Sequence, residues 1–195
     1  MDSTKSLKAV SIYTESNPNP NSLKFVVNFM LMPEGVSRDY PNASATSEAP
    51  LAKSLFEKFD YITGVFYMSN FITVTKKEEN EWFEVKGEIQ QFIKDWLQEE
   101  KAIITEEIKD DIDAELTGND AEAKIRGVLE EYIKPAVEMD GGAIKLSSFK
   151  DGVVTVTLQG SCSGCPSSTI TLKSGIENLL KRMVPEVKEV VAEEG

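Results

Sequence analysis

The run Gly160-Ser161-Cys162-Ser163-Gly164-Cys165-Pro166 constrains this chain more than any other stretch, because it has to end one regular element and begin another. Upstream, Val154, Val156 and Leu158 alternate with Val153, Thr155 and Thr157, the period of a half-buried strand over about 153–158. Downstream, Leu172, Ile176, Leu179, Leu180 and Met183 recur on one face of a helix that Pro185 closes. The two cysteines therefore sit in a loop between a strand and a helix. Pro166 suits a helix start, since it has no N–H to leave unpaired there, and Gly160 and Gly164 let the backbone fold tightly around sulfur.

The flanking sequence extends that unit. Ile125, Val128, Leu129, Tyr132, Ile133 and Val137 define one face of a helix beginning at Asp120, a residue suited to capping. Pro135 predicts a kink or break near its end, and Gly141-Gly142 predicts its stop. A strand over 143–149 then pairs with 153–158 through Lys150-Asp151-Gly152, where Asp-Gly supplies the positive φ angles of a tight hairpin. Residues 187–191 add a possible last strand.

The first part of the chain reads as two strands, a helix, two strands and a helix. Residues 9–14 and 23–30 flank the turn-forming Ser16-Asn17-Pro18-Asn19-Pro20-Asn21, read first as a rigid turn and second as a surface for recognising other proteins. A helix over 50–59 places Leu51, Leu55, Phe56 and Phe59 on one face, and a hairpin joins 64–68 to 71–75 around Ser69-Asn70. The helix over 81–97 is expected to bury Phe83, Ile89, Phe92, Ile93, Trp96 and Leu97. No periodicity is visible over 34–47, which predicts loop.

Between them lies an acid-rich stretch ending in Thr117-Gly118-Asn119-Asp120, with Ile103, Ile104, Ile108 and Ile112 near helical spacing. The organisation expected is a domain over 1–98, an acidic linker over 99–119 that contains a short helix, and a second domain over 120–195. The fold class is α+β: two small α+β domains, ββαββα and then αββα(β).

The formal charge of -12 has the wrong sign for nucleic-acid phosphates or anionic lipid surfaces, so protein partners are expected, with no nucleic acid and no membrane. The imbalance lies in residues 1–118, with 12 basic against 21 acidic side chains, whereas 119–195 carry 9 against 12. The opening residues lack a signal-peptide core or an arginine-rich amphipathic pattern, which predicts a cytoplasmic protein.

Cys162 and Cys165 are the only cysteines, and the chain has no histidine. The N–H groups at the start of a helix favour negative charge, so thiolates are stabilised there as ligands or nucleophiles. Neither thiol reads as core. Three chemistries compete: a thiol-disulfide pair, a zinc site completed by carboxylates or by a second chain's cysteines, and an iron-sulfur cluster taking two thiolates from each of two copies. The thioredoxin-like version of the first lacks its βαβ surroundings here, because a hairpin precedes the motif.

Met139-Asp140-Gly141-Gly142, the cysteine run through Ser168, Thr171-Leu172-Lys173-Ser174-Gly175-Ile176-Glu177 and Pro185-Glu186-Val187 together resemble the C-terminal domain of the NifU family, over about 120–192. Asn17-Pro18-Asn19-Pro20-Asn21-Ser22-Leu23-Lys24-Phe25 resembles the N-terminal domain that accompanies it in two-domain Nfu-type proteins. The resemblance implies a non-enzymatic carrier or scaffold. In that family reading, Cys162 and Cys165 ligate a 4Fe-4S cluster shared by a homodimer, which passes it to apo iron-sulfur recipient proteins.

Overall fold

A β-hairpin followed by a helix and a returning strand builds the sheet that holds the cysteine loop, and the computed structural model describes it within residues 9–105, 120–163 and 166–194. These residues form two units. One comprises 9–15 and 24–105; the other comprises Ser16–Leu23 together with the described residues from 120 onward.

β1 (Ile12–Ser16), β2 (Ser22–Val27), β3 (Ser37–Tyr40), β4 (Ile62–Met68) and β5 (Phe71–Lys76) form one sheet in the order β1-β2-β5-β4-β3, which belongs to the first unit apart from Ser16 at the end of β1 and Ser22 and Leu23 at the start of β2. Two helices, α1 (Pro50–Lys58) and α2 (Trp82–Gln98), accompany it. Phe25, Val27, Leu51, Leu55, Val65, Ile72, Val74, Ile89 and Ile93 are buried. β3 falls inside the stretch expected to be loop. It is a four-residue edge strand pairing antiparallel with β4, and only Tyr40 among its residues is apolar, too little for a periodic signal.

Phe83 corrects the burial expected for α2, being 75% exposed. Trp82 takes the inward place instead, its ring packing edge-on against Phe25 at 6.3 Å, and the buried frame then runs through Ile89, Ile93 and Leu97. After α2 the chain reverses at Glu100, with φ 54. Residues 101–105 are neither helix nor strand, and the Thr105 N–H donates to the Glu48 carbonyl at 2.8 Å. The helix expected from Ile103 onward is therefore absent over 101–105; its remaining positions, Ile108 and Ile112, and the turn over 117–119 lie outside the described residues.

In the second unit the leading helix is built in three pieces: α3 (Asp120–Val128), a π turn (Leu129–Ile133) and α4 (Lys134–Met139). The wide turn lies immediately before Pro135, where a missing N–H and the ring's clash with the preceding turn forbid regular α geometry. It also corrects the expected face, since Tyr132 is 49% exposed while Val137 is back in the core. β6 (Gly142–Lys150) pairs antiparallel with β7 (Val153–Gly160) through Asp151 at φ 53 and Gly152 at φ 88, the hairpin expected from Asp-Gly. α5 (Pro166–Met183) then crosses over to β8 (Glu189–Glu194), which runs parallel to β7. β7 is the central strand, and Val154, Val156 and Leu158 lie in a core with Ile125, Val137, Ile176, Leu180 and Val190. Met183, expected on the inner face of α5, is 43% exposed.

Candidate metal centre

The site is built where two tight turns meet. The first ends α4: the Asp140 N–H donates to the Ala136 carbonyl and the Gly141 N–H to the Glu138 carbonyl, with Gly141 at φ 82. The second ends β7, with Gly160 at φ 64 and the Ser163 N–H donating to the Gly160 carbonyl at 3.1 Å. Both conformations favour glycine, which has no Cβ to clash. Sheet register brings the turns together, because Gly142 at the start of β6 lies opposite Gly160 at the end of β7.

Ser161 joins the two turns. Its N–H donates to the Gly141 carbonyl at 3.3 Å and its hydroxyl donates to the Asp140 carbonyl. The same hydroxyl lies 3.9 Å from the Cys162 Sγ. Gly142 forms a wall of the site: a Cβ there would lie 3.0 Å from the Cys162 Sγ and 2.5 Å from the Gln159 carbonyl oxygen. Asp140-Gly141-Gly142 is thus a helix stop, as expected, and also a seat for the cysteine turn. Burial pushes the Glu138 carboxyl above its ordinary value, with Lys134 opposing.

Cys162 is only 7% exposed and belongs to the same buried core cluster as Leu158, Val137 and Ile176. This corrects the expectation that neither thiol belongs to the core. The reason is the seat: the turn after Gly160 points Cys162 back over the hairpin end instead of outward. Cys165 lies outside the described residues. α5 begins at Pro166, where the sequence expects a helix start.

Segment Ser16–Leu23 completes the second unit. Asn17 and Asn19 organise it: the Asn19 N–H donates to the Asn17 Oδ1 and the Asn21 N–H to the Asn19 Oδ1, each at 3.0 Å. The Ser22 N–H also donates to the Asn19 carbonyl at 3.1 Å. This is the rigid turn expected of the asparagine-proline run. Asn19 itself is 4% exposed, and its Nδ2 donates to the Ser161 carbonyl at 3.0 Å. A pocket of about 80 Å³ lies here, lined by Pro18, Asn19, Val137, Asp140, Cys162 and Leu172 among others.

Among the described residues no three His, Cys, Asp or Glu side chains come together in an arrangement that could hold a metal ion. Among the described residues, too, no helix is long and apolar enough to cross a membrane.

Residues 125–191 match the model of the NifU-like domain, and residues 12–100 match that of the scaffold protein Nfu/NifU N terminal. The chain belongs to the Nfu/NifU family. Within that family, the "NFU1 iron-sulfur cluster scaffold homolog, mitochondrial" of Drosophila persimilis is 38% identical over 185 residues, covering 94% of this chain and 65% of that protein. The protein of the same name from Drosophila grimshawi is 40% identical over 181 residues, covering 92% and 60%. This Nfu-family chain therefore spans less than two thirds of the length of these relatives. A solution structure of a NifU-like protein from Saccharomyces cerevisiae is similar over 55% of this chain and 94% of that one, with 24% identity and a TM-score of 0.47.

The relatives correct one expectation. Both are named mitochondrial, which points to mitochondria and overturns the cytoplasmic reading of the opening residues. A reading of those few side chains speaks for them alone, and the relatives are longer than this chain.

Proposed function

We propose that the chain is a non-enzymatic iron-sulfur cluster scaffold and carrier that works in mitochondria. Two copies each supply Cys162 and Cys165, hold one 4Fe-4S cluster between them, and pass it to apo-proteins by exchange of their thiolates for those of the recipient. The observation that carries this reading is the half-set of ligands at the β7–α5 junction. Such clusters take four thiolates, the chain has two cysteines and no histidine, and a two-fold axis presents the same pair again. The relatives named as iron-sulfur cluster scaffolds support the same chemistry. Because each copy holds only half the ligands, the cluster is released when the copies part, which suits delivery.

Anaerobic reconstitution with iron and sulfide tests the proposal, read by absorbance, metal content and mass in solution. The expected product is a brown dimer with about one cluster per two chains. Cys162→Ser and Cys165→Ser each abolish it. A monomer that binds no iron and reduces disulfides sinks the carrier reading and favours a thiol-disulfide oxidoreductase.

A further inference from the structure

Along the helix that leads into the cysteine seat, Tyr132, Pro135, Ala136 and Met139 are all exposed, at i, i+3, i+4 and i+7. That spacing collects them on one side, opposite the core face that buries Val137. An amphipathic helix ordinarily carries charge on its outer side, whereas this stripe has none, and Met139 at its end is 75% exposed. The stripe runs into the cysteine seat, because Asp140 follows Met139 directly and its carbonyl accepts the Ser161 hydroxyl. Past the loop, α5 adds Ile170, which is 70% exposed and little more than one turn from Pro166. Ala136, Asp140, Cys162 and Leu172 line one pocket, so the end of α4 and the first turns of α5 flank the same cysteine turn. Single exposed apolar side chains are ordinary, but a group of them beside one loop marks a surface that a partner covers.

We propose that Met139 and Ile170 are the apolar contacts on which the second copy of this chain seats, with the stripe back to Tyr132 extending the contact. The proposal rests on the carrier reading. Two loops that share one cluster bring their own flanks together before any other part of the two molecules. A two-fold axis then sets each patch against its own copy, which a charged patch resists and an uncharged one allows. Residues 119–195 are also nearly balanced in charge, with 9 basic against 12 acidic side chains. The protein thus holds its pair together partly through side chains that are not ligands, and the two-fold axis doubles the weight of each.

The discriminating variant is the full chain carrying Met139→Gln and Ile170→Gln, which keeps length and helix-forming tendency while removing apolar surface. Met183→Gln, at the far end of α5 and 43% exposed, is the control. All should match the parent in the thermal transition of the cluster-free protein, because these side chains lie outside the core. Under anaerobic reconstitution with iron and sulfide, the chain concentration giving half-maximal cluster loading is read by absorbance and mass. It should rise about tenfold in the double variant, since burial of even one such side chain is worth that factor, and stay at the parent's value in Met183→Gln. Met139→Leu, alone, should load as the parent does; failure there would assign the thioether as a ligand and overturn the apolar contact.

The remaining outcomes separate the two ideas. A parent that forms no cluster-bound pair sinks the carrier reading and this contact with it. A parent that loads as a dimer beside a double variant that loads at the same concentration leaves the carrier standing and overturns the contact. If that variant also delivers its cluster to an apo-ferredoxin more slowly than the parent, the surface belongs to the recipient instead of the second copy.

Discussion

At Cys162 two demands oppose each other: the shared ligand that we propose has to face another molecule, and this sulfur is packed at the edge of a core. Cys162→Ser consequently does more than remove a proposed ligand. A hydroxyl in that place is a buried polar group, and destabilisation of about 1–3 kcal/mol is expected, measured as a lower urea midpoint in the cluster-free protein. An unchanged midpoint would show that the thiol is not core. Gly142→Ala acts from the opposite wall, where the added Cβ meets the Gln159 carbonyl at 2.5 Å and the Cys162 sulfur at 3.0 Å. A cost of about 1–3 kcal/mol from overpacking, together with a reduced cluster yield, is the expected result. The cysteine pair could be recognised in the sequence because both residues lie within one short run. Gly142 could be read there only as a helix stop, since its crowded neighbours are reached across a hairpin and no local pattern encodes the absence of a Cβ.

Among the elements, those with a sustained period were legible: β6, β7, α5 and the helix that starts at Asp120 follow from alternation or from i, i+3, i+4 spacing. Those that escaped were decided by tertiary contacts. β3 exists because β4 offers it an edge, Phe83 is outside because Trp82 found Phe25 first, and Tyr132 is outside because the π turn before Pro135 shifts the helical face. One link between elements gives a pH test. Glu177 on α5 accepts from the Lys181 ammonium and, at 3.0 Å, from the Val190 N–H of β8. The hydrogen bond from Lys181, then that from Val190, hold its carboxyl below the ordinary 4.5. Since the folded value lies below the unfolded one, the unfolded state binds the proton first. The stabilisation is therefore complete above the unfolded pKa and is lost as pH falls through the folded one. Glu177→Gln should flatten the acid limb of a stability-against-pH curve below about 4.5, and an acid limb identical to the parent's would show that this link carries no charge dependence.

For the whole molecule, charge sets the terms on which the proposed pair of copies meets. A formal charge of -12 opposes association, although residues 119–195, which carry both cysteines, hold only 9 basic against 12 acidic side chains. Moving from about 0.01 M to 0.15 M salt shortens the screening length from about 30 Å to 8 Å. The fraction of cluster-bound dimer in sedimentation velocity should rise with it, and a dimer that weakens with salt would mean that attractive charge pairs hold it. Stripping the iron with a chelator should return the protein to monomers in the same measurement.

The parallel pairing of β7 with β8 carries a consequence for biosynthesis. Both flanks of the cysteine loop are tied into the sheet only when β8 docks, and β8 is synthesised after the loop and the crossover helix. Until then β7 has a bare edge beside the cysteine loop, open to pairing with another chain. Synthesis therefore leaves an interval in which the strand beside the loop can mispair, and the docking of β8 ends it.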